Sequence, residues 1–192
     1  MKPHFHFIIL LALCVCATSF GQKCKYSEKR VRKANKHFED KKIVKATKLK
    51  PLFSKFSQAA SANFVKSDDD YYLSLVLVRE LGRRIDILKD NPLIIRFQDD
   101  SIITLYPDRT LLGKFTLPVT TEINRPYYEV SAEQMQLLAS QPVVYIKVYF
   151  SSDKVSEEKM GSDDTGIFFD YEILNKNLQA SLMEPAECIV QE

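Results

Sequence analysis

Two periodicities divide the chain. In its first third the apolar positions recur at helical spacing, and afterwards they alternate. Val31, Ala34 and Phe38 fall on one side of a helix, and Ser27 stands where an N-cap is wanted. Leu49, Leu52, Phe53, Phe56 and Ala60 trace a second amphipathic stripe. Pro51 would occupy its first turn, where a residue without an N–H is tolerated.

After the change of period, Leu73, Leu75 and Leu77 alternate with Ser74, Val76 and Val78, which predicts a half-buried strand opened by Tyr71-Tyr72. Leu93–Phe97 and Ile102–Tyr106 read as two more strands. The turn between them, Gln98-Asp99-Asp100-Ser101, contains aspartates that tolerate unusual backbone angles. Residues 110–117 and 119–130 continue the β pattern, with Pro118 and Pro126 marking edges or bends. Ser131-Ala132-Glu133-Gln134 is a capping box, so a short helix should run to Ser140 with Met135 and Leu138 inward, ended by Pro142. Val143–Phe150 is the strongest strand, with Lys147 its single charge. The acid-rich stretch 151–165 reads as a loop, and Ile167, Phe169, Tyr171 and Ile173 alternate in a last strand. Leu174, Leu178 and Leu182 then share one face of a final helix before Pro185 and Cys188.

This order specifies an α+β fold: one domain with a mostly antiparallel sheet of about 6–8 strands, a short helix before the strongest strand, a C-terminal helix and basic N-terminal helices. The helix between Val130 and Val143 is long enough for a crossover, which would admit one parallel pair. The chain has no internal repeat.

The N-terminus reads as an address. Lys2 is a short positive start, Phe5–Ala17 is almost unbroken apolar chain, and Thr18-Ser19-Phe20-Gly21 places small residues before a cleavage site after Gly21. The apolar run is about 13 residues, against the roughly 20 that a membrane-crossing helix needs. Cys14, Cys16 and Cys24 follow Leu13, Val15 and Lys23, so no cysteine has the small neighbour of a lipid-attachment site. The ending Ser19-Phe20-Gly21-Gln22 resembles signal peptides of exported proteins from Bacteroidota-type bacteria. That resemblance implies export, to the periplasm or beyond the cell, and no activity. The resulting organisation is a signal peptide over 1–21, a basic helical segment over 22–58 and an α+β domain over 59–192. Cleavage would remove Cys14 and Cys16. Cys24 and Cys188 then pair most simply as one disulfide in an oxidising compartment. Closing a loop of about 160 residues, it would stabilise the fold by roughly 5 kcal/mol in the loop-entropy model.

Charge changes the picture again. The net formal charge of +2 hides two blocks: residues 23–55 hold 13 Lys or Arg against Glu28, Glu39 and Asp40, a net of +10, while residues 56–192 carry −9. Such a segment can lie on an anionic membrane surface, follow nucleic-acid phosphates, or dock on the acidic body of its own chain. Lys29, Arg30, Arg32, Lys33, Lys36, Lys41, Lys42, Lys45 and Lys48 are the candidate residues for an anionic surface. Export, and the absence of any nucleic-acid-binding motif, argue against nucleic acid.

Catalytic chemistry is thinly supplied. With His4 and His6 in the signal peptide, His37 is the one imidazole left, and its lysine-rich neighbourhood reads as plain surface. No Ser-His-Asp or Cys-His set can be built without it, and a zinc site lacks ligands. No catalytic residue, metal ligand or cofactor is therefore expected. Gly161 to Gly166 has the glycine spacing of a phosphate-binding loop, but Ile167 and Phe168 stand where Lys and Ser or Thr are required. The acid clusters Asp68-Asp69-Asp70, Asp99-Asp100, Glu157-Glu158 and Asp163-Asp164 match no calcium loop and read as turn chemistry. Tyr71, Tyr72, Tyr127, Tyr128, Tyr145 and Tyr149 either pack across strands or form a binding face for sugars or proteins.

The expected function is an exported, non-catalytic α+β domain that acts by binding an envelope protein or other partner. Two alternatives are a carboxylate-dependent hydrolase and a peripheral protein on an anionic membrane surface. A concave pocket lined by acids from different strands, one with a raised pKa, would mark the hydrolase. A filled sheet with scattered acids would mark the binding module.

Overall fold

The computed structural model describes residues 24–55, 58–68, 70–80, 86–113, 121–150 and 167–190. In chain order these form α1 (Glu28–Asn35), β1 (Lys45–Ala46), β2 (Lys50–Lys55), β3 (Gln58–Lys66), β4 (Tyr71–Glu80), β5 (Leu93–Phe97), β6 (Ile102–Leu105), β7 (Thr121–Asn124) and β8 (Tyr127–Val130). The helix α2 (Ala132–Ser140), β9 (Val143–Phe150), β10 (Ile167–Glu172) and the helices α3 (Lys176–Gln179) and α4 (Met183–Val190) follow. The α+β reading holds, and the strands divide between two sheets.

In the first sheet β3 and β4 pair antiparallel from Gln58↔Arg79 to Lys66↔Tyr71. β1 and β2 both pair with the free edge of β3, and β7 and β8 with that of β4. The second sheet runs β10-β9-β5-β6. The two sheets are also joined by backbone hydrogen bonds at one seam, where β6 runs out against β8. There the Glu129 N–H donates to the Tyr106 carbonyl at 3.3 Å and the Asp108 N–H to the Tyr127 carbonyl at 2.9 Å. All named strand pairs are antiparallel. α2 is no crossover; it carries the chain from β8 in one sheet to β9 in the other.

Alternation buries both faces of the first sheet. Ala60, Ala62 and Phe64 of β3 and Leu73 and Leu75 of β4 point into the main core. There they meet Leu93, Ile95 and Phe97 of β5, Ile146 and Val148 of β9, Met135 and Leu138 of α2, and Ala186 and Ile189 of α4. The opposite face presents Val65, Tyr72 and Tyr127, which are covered by Ala34, Phe38 and Ile43. α1 is thus a third layer, held by a thin apolar stripe with Phe38 as its anchor.

Local signals account for most element ends. The capping box is complete: Ser131 Oγ accepts from the Gln134 N–H at 3.2 Å, and the Ser131 N–H donates to Gln134 Oε1 at 2.9 Å. Ser27 sits at the cap of α1 without a side-chain capping bond; its carbonyl accepts from Arg30 and Val31 instead. Asp100 takes the left-handed conformation at φ 65°, and Asp99 Oδ1 accepts from the N–H and hydroxyl of Ser101.

Three readings are corrected. Among the described residues one basic N-terminal helix forms, because the second stripe is β2, an edge strand whose register shifts between Pro51 and Phe53. The shift breaks alternation, so the consecutive Leu52 and Phe53 are both buried and imitate a helical stripe. Residues 110–113 do not form a strand; Leu111 only exchanges two backbone hydrogen bonds with Ile87. The last helix starts later than the leucine spacing suggests, since Asn175 caps α3 and leaves Leu174 before it, 83% exposed. Pro185 does not end this helical region but sits in the first turn of α4, where no N–H is needed. The signal peptide, residues 114–117 and the 151–165 loop lie outside the described residues.

Cys24 and Cys188 are joined, with their Cα atoms 5.6 Å apart. The Tyr26 hydroxyl donates to the Cys188 carbonyl at 3.0 Å, so the chain entering the fold and α4 are fastened twice. Replacing both cysteines by serine should lower stability by about 2–5 kcal/mol, read as a depressed denaturant midpoint. The oxidised protein should also run faster than the reduced one on a denaturing gel. Equal midpoints for the two forms would reject a structural role for the bond.

Candidate functional site

The basic residues of the N-terminal segment do not share one environment. Lys29, Arg32, Lys36, Lys42 and Lys48 are exposed, while Arg30, Lys33, Lys41 and Lys45 are half-buried. Lys41 docks on the body of its own chain: Nζ donates to Asp70 Oδ2 at 2.9 Å and to the Tyr72 hydroxyl at 2.6 Å. Those bonds push the Lys41 pKa up and draw the Asp70 carboxyl below its usual range. Lys45 Nζ lies 5.8 Å from the centre of the Tyr26 ring, and Lys50 meets Glu184 at 3.1 Å.

His37 is not a plain surface histidine. It follows the C-terminus of α1, where Phe38 anchors the chain and swings the imidazole over Tyr127, ring centres 4.4 Å apart. Its Nε2 lies 2.7 Å from Asp108 Oδ2, and the same oxygen accepts from Arg109 Nε at 3.0 Å. Asp108 is 9% exposed. Burial alone would raise its pKa, but the hydrogen bonds and charges of His37 and Arg109 outweigh burial and hold it below the carboxylate range. These partners lie 71 residues apart in sequence. Nothing in the local spacing announces them.

Asp70 and Asp108 both border one cavity of about 570 Å³ at the seam between the sheets. Its lining comes from the start of β4 (Tyr71, Tyr72), the end of β6 (Thr104, Leu105) and Tyr106 beyond it, β8 (Glu129), the N-cap and first turn of α2 (Ser131, Gln134) and Lys89. The hydrogen bonds between the sheets involve the residues just beyond β6, and the cavity lies beside that joint, lined by Leu105, Tyr106 and Glu129. Tyr106 stays 53% exposed on its wall. Three carboxylates, an amide and the hydroxyls of Thr104, Ser131 and three tyrosines therefore converge on one concave surface.

Most strand tyrosines pack rather than bind. Tyr72 and Tyr127 belong to the core under α1, and Tyr128 is fully buried, with desolvation raising its hydroxyl pKa. Tyr145 lies under the Arg96 guanidinium, and Tyr149 under Lys147. Tyr71 lines the cavity. Tyr106, at the end of a predicted strand, escapes a search for paired tyrosines; its position just before Pro107, where strand pairing stops, was the available signal. Among the described residues no group of three or more His, Cys, Asp or Glu side chains could hold a metal ion. Nor is any described helix long and apolar enough to cross a membrane.

Asp108 has a pKa below its unfolded value of about 3.9, so its stabilising contribution is present above that value. It is lost as pH falls through the lower folded value. Asp108→Asn should cost about 1–3 kcal/mol near neutral pH. It should also flatten the decline in stability below pH ~4, both measured by urea unfolding across pH. An unchanged acid limb in the variant would show that this carboxylate does not carry the effect.

No family model matches this chain, and no curated protein or solved structure matches it either.

Proposed function

We propose that the protein is an exported, non-catalytic binding module that takes a hydroxyl-rich ligand, a saccharide, in the cavity between its sheets. The cavity itself carries this reading. Its lining combines the tyrosine rings of Tyr71 and Tyr106 with the polar groups of Thr104, Glu129, Ser131 and Gln134. Aromatic faces suit the apolar C–H face of a sugar ring, and carboxylate, amide and hydroxyl groups suit its hydroxyls. The Cys24–Cys188 bond supports an oxidising, exported location.

The chemistry favours binding over hydrolysis. A carboxyl acting as general acid must keep its proton near neutral pH. Asp70 and Asp108 are instead held below the carboxylate range by Lys41 and by His37 with Arg109. Each is fastened to cations of its own chain, which fixes the wall of the cavity and leaves neither as a proton donor.

The test is a titration of the oxidised protein with chito-, cello- and malto-oligosaccharides, followed by the amide resonances of Thr104, Tyr106 and Ser131. At least one series should move these signals at about 10 mM or below. Tyr106→Ala, at an exposed position, should weaken that binding about tenfold without lowering stability. If none of the three series disturbs the cavity, the saccharide reading fails.

A further inference from the structure

A second place on the molecule carries charge that no described acid of its own chain neutralises. Arg30 and Lys33 stand one turn apart on α1, and His37 follows at the next turn of the same flank. His37 rests on the Tyr127 ring, 4.4 Å between centres, so this flank lies over the segment Arg125-Pro126-Tyr127 that bends between β7 and β8. Arg125 is half-buried there, and its Nε is buried without a hydrogen-bond partner. Arg30 and Arg125 both act on the Tyr127 hydroxyl. They also act on each other: burial, then repulsion from Arg125, lowers the Arg30 pKa. Lys33 is lowered by burial, then by Arg125, Arg30 and Lys29.

Among the described residues, the usual remedy for such crowding, a paired acid, is missing. The ion pairs that His37, Lys41, Lys50 and Arg109 make among the described residues are directed elsewhere, and none involves Arg30, Lys33 or Arg125. Asp108, the acid that Tyr127 senses, is already held by His37 and Arg109. Converging cations without acids are costly in the free protein, and an oxyanion between them would turn repulsion into attraction. Two guanidinium groups present planar donor forks that match the oxygens of a phosphoryl group, and an ammonium adds a point charge.

We propose that Arg30, Lys33 and Arg125 form a binding site for a phosphoryl group, brought either as a free phosphate ester or as the headgroup of an anionic lipid. This site is separate from the saccharide cavity, since none of its three residues lines that cavity. α1 supplies two of the cations and the β7–β8 bend the third, so the site exists only when the helix is docked on the sheet.

The experiment uses the oxidised chain at constant ionic strength. Inorganic phosphate is titrated while the side-chain resonances of Arg30 and Arg125 are followed, and vesicles of phosphatidylglycerol in phosphatidylcholine are co-sedimented in parallel. Arg30→Gln and Arg125→Gln should each weaken binding about tenfold or more. Without phosphate, both variants should melt no lower than the parent, because each removes a repelled charge. That readout separates a ligand site from a structural role. Saturable binding of free phosphate points to a soluble ester; binding to anionic vesicles with only weak response to phosphate points to the lipid headgroup. Either result, abolished in the variants, supports the site. Absence of both, or equal binding by parent and variants, overturns it.

Discussion

The antiparallel pairing of β3 with β4 is the constraint on which the other elements depend. It fixes which residues of two long neighbouring strands face each side, and both sides are used. Leu73 and Leu75 look into the main core, and Tyr72, just before them, looks out to α1. A slip of one residue would exchange these faces and place the tyrosine among the aliphatic side chains of the second sheet. The same hairpin offers both outer edges as templates: β1 and β2 pair on one, β7 and β8 on the other. β8 in turn brings Tyr127 under His37 and Glu129 to the cavity. Site and scaffold share a register.

Elements whose cues are local were legible from the residues alone. The alternation in β4, β5, β9 and β10, the capping box at Ser131 and the left-handed turn at Asp100 each follow from neighbours within a few positions. So did the pairing of Cys24 with Cys188, which depended on compartment chemistry rather than spacing. What misled was a local pattern with two physical causes. Leu52 and Phe53 are both buried because β2 has a bulge at the edge of a sheet, yet their spacing to Leu49 and Phe56 is also that of a helix. Leu174 shared its period with Leu178 and Leu182, but Asn175 caps α3 one residue later and strands it in solvent. The sites were less legible still. His37 meets Asp108, and Arg30 nears Arg125, only because Phe38 packs on Tyr72 and Tyr127. No spacing along the chain encodes that contact.

The division of charge between the two parts of the chain acquires a structural meaning. Part of the basic segment is spent on the body of its own chain, Lys41 on Asp70 and Lys50 on Glu184, while Lys45 lies beside the Tyr26 ring within the segment. These contacts are partly exposed, so each contributes modestly in salt. Their larger effect is placement. Lys41 ties the connection after α1 to the rim of the cavity, and His37 ties the end of α1 to its wall. α1 thus links the seam of the two sheets to the cationic cluster beside the β7–β8 bend.

The bond between Cys24 and Cys188 also decides how the molecule would respond to being pulled. Tension applied to the backbone at those two residues runs through a single pair of sulfur atoms, across a Cα separation of 5.6 Å. Both sheets, the cavity and every described helix except the last two residues of α4, Ile189 and Val190, lie inside the closed ring and outside the path of the force. A tether fixed to the chain before Cys24 and another fixed after Cys188 would therefore transmit a pull to one another without peeling β1 from β3, and would load only the last turn of α4 beyond Cys188. Such a fold can hang between two anchors and keep its binding surfaces in shape, provided its surroundings keep the sulfurs oxidised.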